Sequence, residues 1–554
     1  MTTTPNPIEI DRDYNYWIRS YFHDADDPDV DHGSYWYNGN TDPTDVCSGH
    51  YYSSSWHYHY SHYITIATRG TDNHWYLYRA GTYRITGLNP AKIVTNHKNV
   101  STLDFGSAGT LYVSANDTVN IKAVINAVEI QGDSSWTTTP YDHYYDGGTV
   151  SLVGGNDTVN VVGHDLRIHG DSGNDSIRVD SIANYIYGED DDDKIVQIID
   201  GNNEIHGGSG SDQITIQNGN GWQVEGGDGN DVITIGSWNS DVEGGSDKDT
   251  IHAGSYNNIY GGRGLGTGND SQDEIDATDH NHIWGDADKD KIVGRNENTI
   301  HGGSAPDHSN WTDADVTSND SDDTIQANNS NWIYGDRGKD SIVANDDNHV
   351  WGNDGSDVIW VNDKNWVAGG GNGVNGTDTI FASEYNTVYG GVMGLGSAAN
   401  DGWDGGTERG SSESDGADSI KVEVGNKVYA GGGNDSIYGQ YANLIAGGEG
   451  DDSIVALDKD SIAGGNGQDC IKAGEHAYID AGPGNDTVDA KFNSRIWGAG
   501  GRDSINVLDR SYVNAGDDND SVYATNDSTL FGGGGNDTIE ATDGNLIYGD
   551  INAL

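Results

Sequence analysis

The sequence predicts an all-β fold: a parallel β-solenoid (β-roll) of about 20 coils of 17–19 residues, with a small β-rich N-terminal domain. Three observations carry this. A Gly-Gly, acid, aliphatic unit recurs at a near-constant step; Asp435 in GGGNDSI and Asp452 in GGEGDDSI are 17 residues apart. Short runs alternate aliphatic and polar residues with period two, the pattern of a half-buried strand. Glycine supplies 81 of 554 residues whereas Phe supplies 5 and Met 2, so a thick globular core is not expected.

The chain divides into three parts. Residues 1–90 have no repeat and are crowded with Tyr, Trp and His, as in HYYSSSWHYHYSHYITIATRG (50–70); they read as a β cap or assembly domain. His57 and His59 there would share a strand face, which suits a transition metal, although alternating His in a Tyr-rich strand is more often plain surface. Residues 91–150 read as irregular coils without the acidic corner, and 151–554 as the regular repeat.

The anchor of each repeat is the acid two before the strand aliphatic. The series runs Asp157, Asp175, Asp193, Asp212, Asp231, Asp249, Asp273, Asp290, Asp323, Asp340, Asp357, Asp378, Asp418, Asp435, Asp452, Asp469, Asp486, Asp503, Asp520 and Asp537. Three long steps, 249 to 273, 290 to 323 and 378 to 418, hold insertions between the glycines and the acid. These are expected to be loops extruded at one corner that leave the repeat in phase.

Each unit holds two short strands, as in Tyr185-Ile186-Tyr187 and Ile454-Val455-Ala456, joined by two corners. One such coil is too small to bury its own aliphatic face, so coils must stack, Ile upon Ile, into two sheets back to back. At the corner opposite the glycines, Asn stands two before the aliphatic at Asn184, Asn203, Asn257, Asn281, Asn298, Asn331, Asn348, Asn365, Asn386, Asn426, Asn443 and Asn545. Either these side chains form a hydrogen-bonded ladder or Asn merely tolerates a left-handed turn.

The net charge is −61, from 89 Asp+Glu against 28 Lys+Arg, and it is distributed with the repeat. A folded chain with this charge repels itself unless it binds cations. Nucleic acid and acidic membrane surfaces are poor partners for it. A glycine-rich turn exposes carbonyls, the Asp adds charge, and the neighbouring coil can complete the six to eight oxygens that a hard cation such as calcium takes. As a turn alone, the same corner would simply bond Asp to backbone amides.

The motif resembles the RTX (haemolysin-type) calcium-binding nonapeptide family, GGxGxDx-aliphatic-x. Close matches place Gly207, Gly208 and Gly210 before Asp212; Gly226, Gly227 and Gly229 before Asp231; and Gly431 and Gly432 before Asp435. Gly447, Gly448 and Gly450 precede Asp452, Gly464, Gly465 and Gly467 precede Asp469, and Gly532, Gly533 and Gly535 precede Asp537. The resemblance implies calcium as the cofactor, bound by these glycines and the anchor aspartates. Only one corner per coil carries the motif, so it further implies a single row of ions along one edge. GEDDDDKI (188–195) and GDADKDKI (285–292) depart from the pattern, and their sites are expected to be weak or empty.

The resemblance also implies an extracellular or cell-surface protein, exported by type I secretion and folding on extracellular calcium. The N-terminus has no basic region followed by an apolar stretch, and no run approaches the ~18 apolar residues of a membrane helix. Cys47 and Cys470 allow one disulfide at most. No Gly-x-Ser-x-Gly elbow, His-Glu-x-x-His helix or phosphate loop is present, so the chain reads as a non-enzyme. The expected function is a secreted structural protein that assembles with itself into a surface layer, sheath, filament or adhesin. Only GDINAL follows the final coil, which favours end-to-end contact with another copy. A stripe including Tyr187, Tyr260, Trp284, Tyr334, Trp351, Tyr389, Tyr429 and Trp497 leaves polysaccharide binding as the alternative, with polysaccharide modification behind it; sheet packing is the simpler account of the stripe.

Overall fold

The computed structural model describes residues 166–179, 185–198, 204–236, 238–262, 271–303, 322–391 and 416–549, and short strands between 8 and 161 by backbone pairing alone. Cys47, His57, His59, Asp157, Asn184 and Asn203 lie outside the described residues. The chain forms two compact units, Met1–Ala253 and Gly254–Leu554. The described residues of both form parallel β-solenoid coils, about 19 turns in all, with no helix among them.

Each coil contributes one strand to each of two sheets. In the first unit, the first sheet pairs Tyr185–Asp190, Glu204–Ser209, Gln223–Asp228 and Asp241–Ser246 in sequence order. The second pairs Ser176–Val179, Lys194–Gln197, Gln213–Ile216, Val232–Ile235 and Thr250–Ala253. The second unit repeats the arrangement, for example Leu444–Glu449 beside Ser461–Asn466 and Ser453–Asp458 beside Cys470–Ala473. Backbone pairing of Ile85 with Val113, Val113 with Ile130 and Ile130 with Leu152 is also parallel.

The core follows from the period-two pattern. Lys194–Gln197 alternates exposed, buried, half-buried, buried, and this order recurs in strands of both sheets. Register stacks Ile186, Ile205 and Val224 in the first unit and Ile437, Ile454 and Ile471 in the second, all of them 0–1% exposed. Each aliphatic side chain thus packs on its equivalent one coil away. The insertions leave the register intact: Lys291 pairs with Thr324, and Thr379 with Ser419.

The Asn corner is a ladder. Asn348 donates its backbone N–H to Asn365 Oδ1 at 2.8 Å, and its Nδ2 reaches the same oxygen at 3.1 Å. The relay runs Asn257, Asn281, Asn298, Asn331, Asn348, Asn365, Asn386, Asn426, Asn443. The left-handed residue of this corner stands one place earlier: His280 has φ 61°, Asp347 φ 58° and Lys364 φ 60°. Of the two readings of these asparagines, the ladder is the one the structure bears out.

Among the described residues, no helix is long and apolar enough to cross a membrane. Cys470 is a free, half-buried thiol.

Candidate metal centre at the glycine–aspartate corner

The anchor aspartates stand in register inside the opposite corner. In the first unit Asp175, Asp193, Asp212 and Asp231 each donate their backbone N–H to Oδ1 of the anchor one coil on, at 2.7–2.8 Å, ending at Asp249. In the second unit the relay starts at Asp273 and passes through Asp290, Asp323, Asp340, Asp357, Asp378 and Asp418. It continues through Asp435, Asp452, Asp469, Asp486 and Asp503 to Asp520 and Asp537. The described anchors from Asp175 to Asp520 are 0–3% exposed.

The second carboxylate oxygen separates this corner from the amide ladder. The Oδ2 atoms of Asp193, Asp212, Asp231, Asp357, Asp452, Asp469, Asp486, Asp503 and Asp520 are buried without a hydrogen-bond donor. Those of Asp193, Asp212, Asp231, Asp357, Asp452, Asp469 and Asp503 face the first glycine of their own corner; before Asp486 and Asp520 that position is Ala481 and Ala515. A Cβ on Gly447 would collide with both Asp452 Oδ2 and the carbonyl oxygen of Gly464. Carboxylate and carbonyl oxygens, both acceptors, therefore crowd one point from two coils. At the amide corner the equivalent atom is a nitrogen, which donates to a carbonyl: Asn348 Nδ2 to Asn328 O at 2.8 Å. A row of buried acceptors facing acceptors is costly unless protons or cations enter.

The carboxyl chemistry follows from this. Burial pushes Asp452 up to about 8, and Asp193, Asp231, Asp357, Asp486 and Asp520 up to about 7. It pushes Asp212, Asp469 and Asp503 up to about 6. In each case the backbone N–H that Oδ1 accepts pulls the other way without cancelling the burial. Neighbouring carboxylates, such as Asp435 and Asp469 beside Asp452, raise the value further. A divalent cation would reverse this balance.

The residues present fit calcium by this test. No group of three or more His, Cys, Asp or Glu side chains converges among the described residues. An oxygen shell would therefore come largely from backbone carbonyls, with the anchor carboxylate adding charge, which suits a hard cation.

The glycines hold the turn open. Gly448 has φ 114°, and a Cβ there would strike the carbonyl of Gly431. Gly448→Ala should therefore cost about 2 kcal/mol or more, read as a lowered thermal midpoint in saturating calcium, with calcium affinity falling as well. In the GGGND corner the positive angles fall at Gly431 (107°) and Gly433 (116°), so Ala430 takes the first position and Gly432 lies between the two left-handed residues. The departures from the motif keep the same path: Glu189 and Asp191 have φ 79° and 75°, and Asp286 and Asp288 have φ 77° and 67°. Asp and Asn tolerate this region better than other non-glycine residues.

Sequence reasoning missed one column. The residue before the anchor builds an outer ladder: Asn434 Oδ1 accepts from Asp451 N at 2.9 Å, and Asn485 Oδ1 from Arg502 N at 2.8 Å. The recurrence of Asn in the Gly-Asn-Asp triplet was the signal for it. At degenerate corners a cation enters this column, where Lys289 Nζ meets Asp322 Oδ2 at 2.6 Å.

A family model described as the RTX calcium-binding nonapeptide repeat (4 copies) matches residues 167–196, 200–222, 326–359, 345–365, 414–440, 423–454, 439–471 and 514–545. The chain carries RTX calcium-binding repeats. The RTX matches cover about a third of the chain and include the corners of Asp175, Asp193, Asp212, Asp340, Asp357, Asp418, Asp435, Asp452, Asp469, Asp520 and Asp537. The Glu189–Asp192 corner thus counts as an RTX repeat despite lacking two glycines. RTX proteins are typically secreted and extracellular, and the RTX β-roll is typically a structural, non-enzymatic fold. No curated protein matches the chain.

The aromatic stripe is also real. Tyr260, Trp284, His301, Tyr334 and Trp351 stack in turn with centroids 4.5–5.9 Å apart and planes within 8°. His169, Tyr187 and His206 also stack in the first unit, with centroids 5.0–5.1 Å apart and planes within 14°. The faces of rings inside such a column are covered by their neighbours, which leaves their edges for solvent. Trp366 is turned, at 87° to His349 and 80° to Tyr389.

Proposed function

We propose that this protein is a secreted calcium-binding structural protein that folds on extracellular calcium and assembles with itself into a layer, sheath, filament or adhesin. The carrying observation is the column of buried aspartate oxygens facing backbone carbonyls of the corner. It supports one row of calcium ions along the glycine–aspartate edge of each unit, held by the anchor aspartates and by the carbonyls of their corners. The metal supplies positive charge between coils. The chain's own residues do the rest: the glycines hold the left-handed turn, the Oδ1 atoms keep the coils in register, and the amide ladder closes the opposite corner.

Polysaccharide binding to the aromatic stripe is the second reading. Sugars stack on ring faces, and the stacked column spends its faces internally, which favours the assembly reading. Electron microscopy of the purified chain with calcium and with chelator separates the two. Ordered arrays or fibres in calcium alone agree with assembly. Dispersed particles in both conditions, together with retention on a glycan column lost in Trp366→Ala, would replace it by the second reading.

A further inference from the structure

Among the described residues, the ladder column of the amide corner holds one carboxylate. Asp460 stands in the ladder column directly after Asn443, is 0% exposed, and lies away from the glycine–aspartate edge. Its Oδ1 accepts from the Asn443 backbone N–H at 2.6 Å and from Asn443 Nδ2 at 3.1 Å. Its Oδ2 is buried without a partner. Ala477 follows in the next coil and offers no side-chain donor.

The other polar members of the column show what is missing. Each coil presents the carbonyl of the residue three before its ladder position, and the next ladder side chain donates to it. Asn365 Nδ2 gives to Asn345 O at 2.7 Å, and Asn443 Nδ2 to Glu423 O at 3.1 Å. Where serine replaces asparagine the hydroxyl does the same: Ser511 Oγ to Lys491 O and Ser528 Oγ to Leu508 O, both at 3.3 Å. By this register Asp460 faces the carbonyl of Gln440. An ionised carboxylate has nothing to donate there, whereas a carboxylic acid has an O–H, as serine does.

We propose that Asp460 retains its proton and donates a hydrogen bond to the Gln440 carbonyl, making the two-coil stretch from Asn443 to Ala477 a pH-sensitive joint in the amide corner. Burial raises its pKa, the two Asn443 bonds oppose the shift, and Asp458 adds to it. The proton therefore stabilises this coil at low pH, and the contribution is lost as pH rises through the raised value. Above it, a buried anion faces a carbonyl and the two flanking coils loosen. The other titratable groups at this corner are Tyr441, Asp458 and Lys459 on the adjoining turns and Glu475 and His476 on the following coil. All of these are at least partly solvent-exposed. This inference does not depend on where calcium binds.

The test is hydrogen exchange of the full chain in saturating calcium, corrected for intrinsic rates, on peptides spanning 440–462. Protection in the wild type should fall between pH 5 and pH 8. Asp460→Asn restores the amide donor, so it should keep its protection at pH 8 and match the wild type at pH 5. Asp460→Ala should be equally protected at both pH values. His476→Gln should leave the wild-type pH dependence in place. A wild type with flat protection, or a pH dependence that survives in Asp460→Asn or disappears in His476→Gln, overturns the proposal.

Discussion

Chelation of calcium from the folded protein is expected to abolish most of its β-sheet circular dichroism, and restoring millimolar calcium to bring it back. Among the described residues, nine anchor aspartates hold a buried oxygen that has no donor, and seven of these lie next to a carbonyl that is also an acceptor. The chain around them carries a net charge of −61. Extracellular calcium modules bind at ~10⁻⁴–10⁻³ M, and a ligand at ten to a hundred times its dissociation constant adds about 1.4–2.7 kcal/mol per site. Summed over a row of sites, this exceeds the ~5–15 kcal/mol by which ordinary domains are stable. The aliphatic core offers little in reserve, because each coil buries only a few Ile, Val and Ala side chains. Far-ultraviolet dichroism with and without chelator reads the effect.

Acid should substitute in part for the metal. Without calcium, the anchors whose pKa burial raises to about 6–8 must either bind a proton or bear an uncompensated charge. A folded value above the unfolded one means that the proton's contribution is complete below about pH 4 and is lost as pH climbs through 6 to 8. Chelated protein should therefore melt higher at pH 4.5 than at pH 7.5, by about 10 °C or more. In calcium the order should reverse, because protons then compete with the metal for the same oxygens. Melting curves at the two pH values, each with calcium and with chelator, give four midpoints that must cross in this way.

Much of this architecture was legible in the residues. The 17-residue step from Asp435 to Asp452 placed the anchors in one column, and the alternation in segments such as Ser453–Asp458 placed Ile454 and Ala456 inward. Phase was preserved across insertions because extra residues entered at a corner, where they displace no strand. What the residues did not disclose was direction. A carboxylate before an aliphatic reads as a surface charge, and only the fold shows Asp452 2% exposed with one oxygen bonded and the other stranded. The asparagines could have been turn formers; the positive φ belongs to the preceding residue, which pattern alone does not indicate. The loss of glycine at Glu189 and Asp191 pointed to a weak or empty site. The turn itself keeps the same path: Asp191 belongs to a residue type that tolerates the left-handed region, and Glu189 adopts it with φ 79°. The residue before each anchor was passed over because its side chain is exposed and its role is a bond to the backbone of the next coil.

The central claim is that the anchor carboxylates, and not the turn alone, hold the metal. Equilibrium dialysis of calcium against the wild type and against Asp452→Asn/Asp469→Asn/Asp486→Asn tests it most directly. These three substitutions leave Oδ1 in place for register and give each stranded position an amide donor, so the coils should still form. The account predicts that the variant binds about three fewer ions per chain and keeps more of its sheet in chelator than the wild type does. An unchanged calcium count in a folded variant would contradict it.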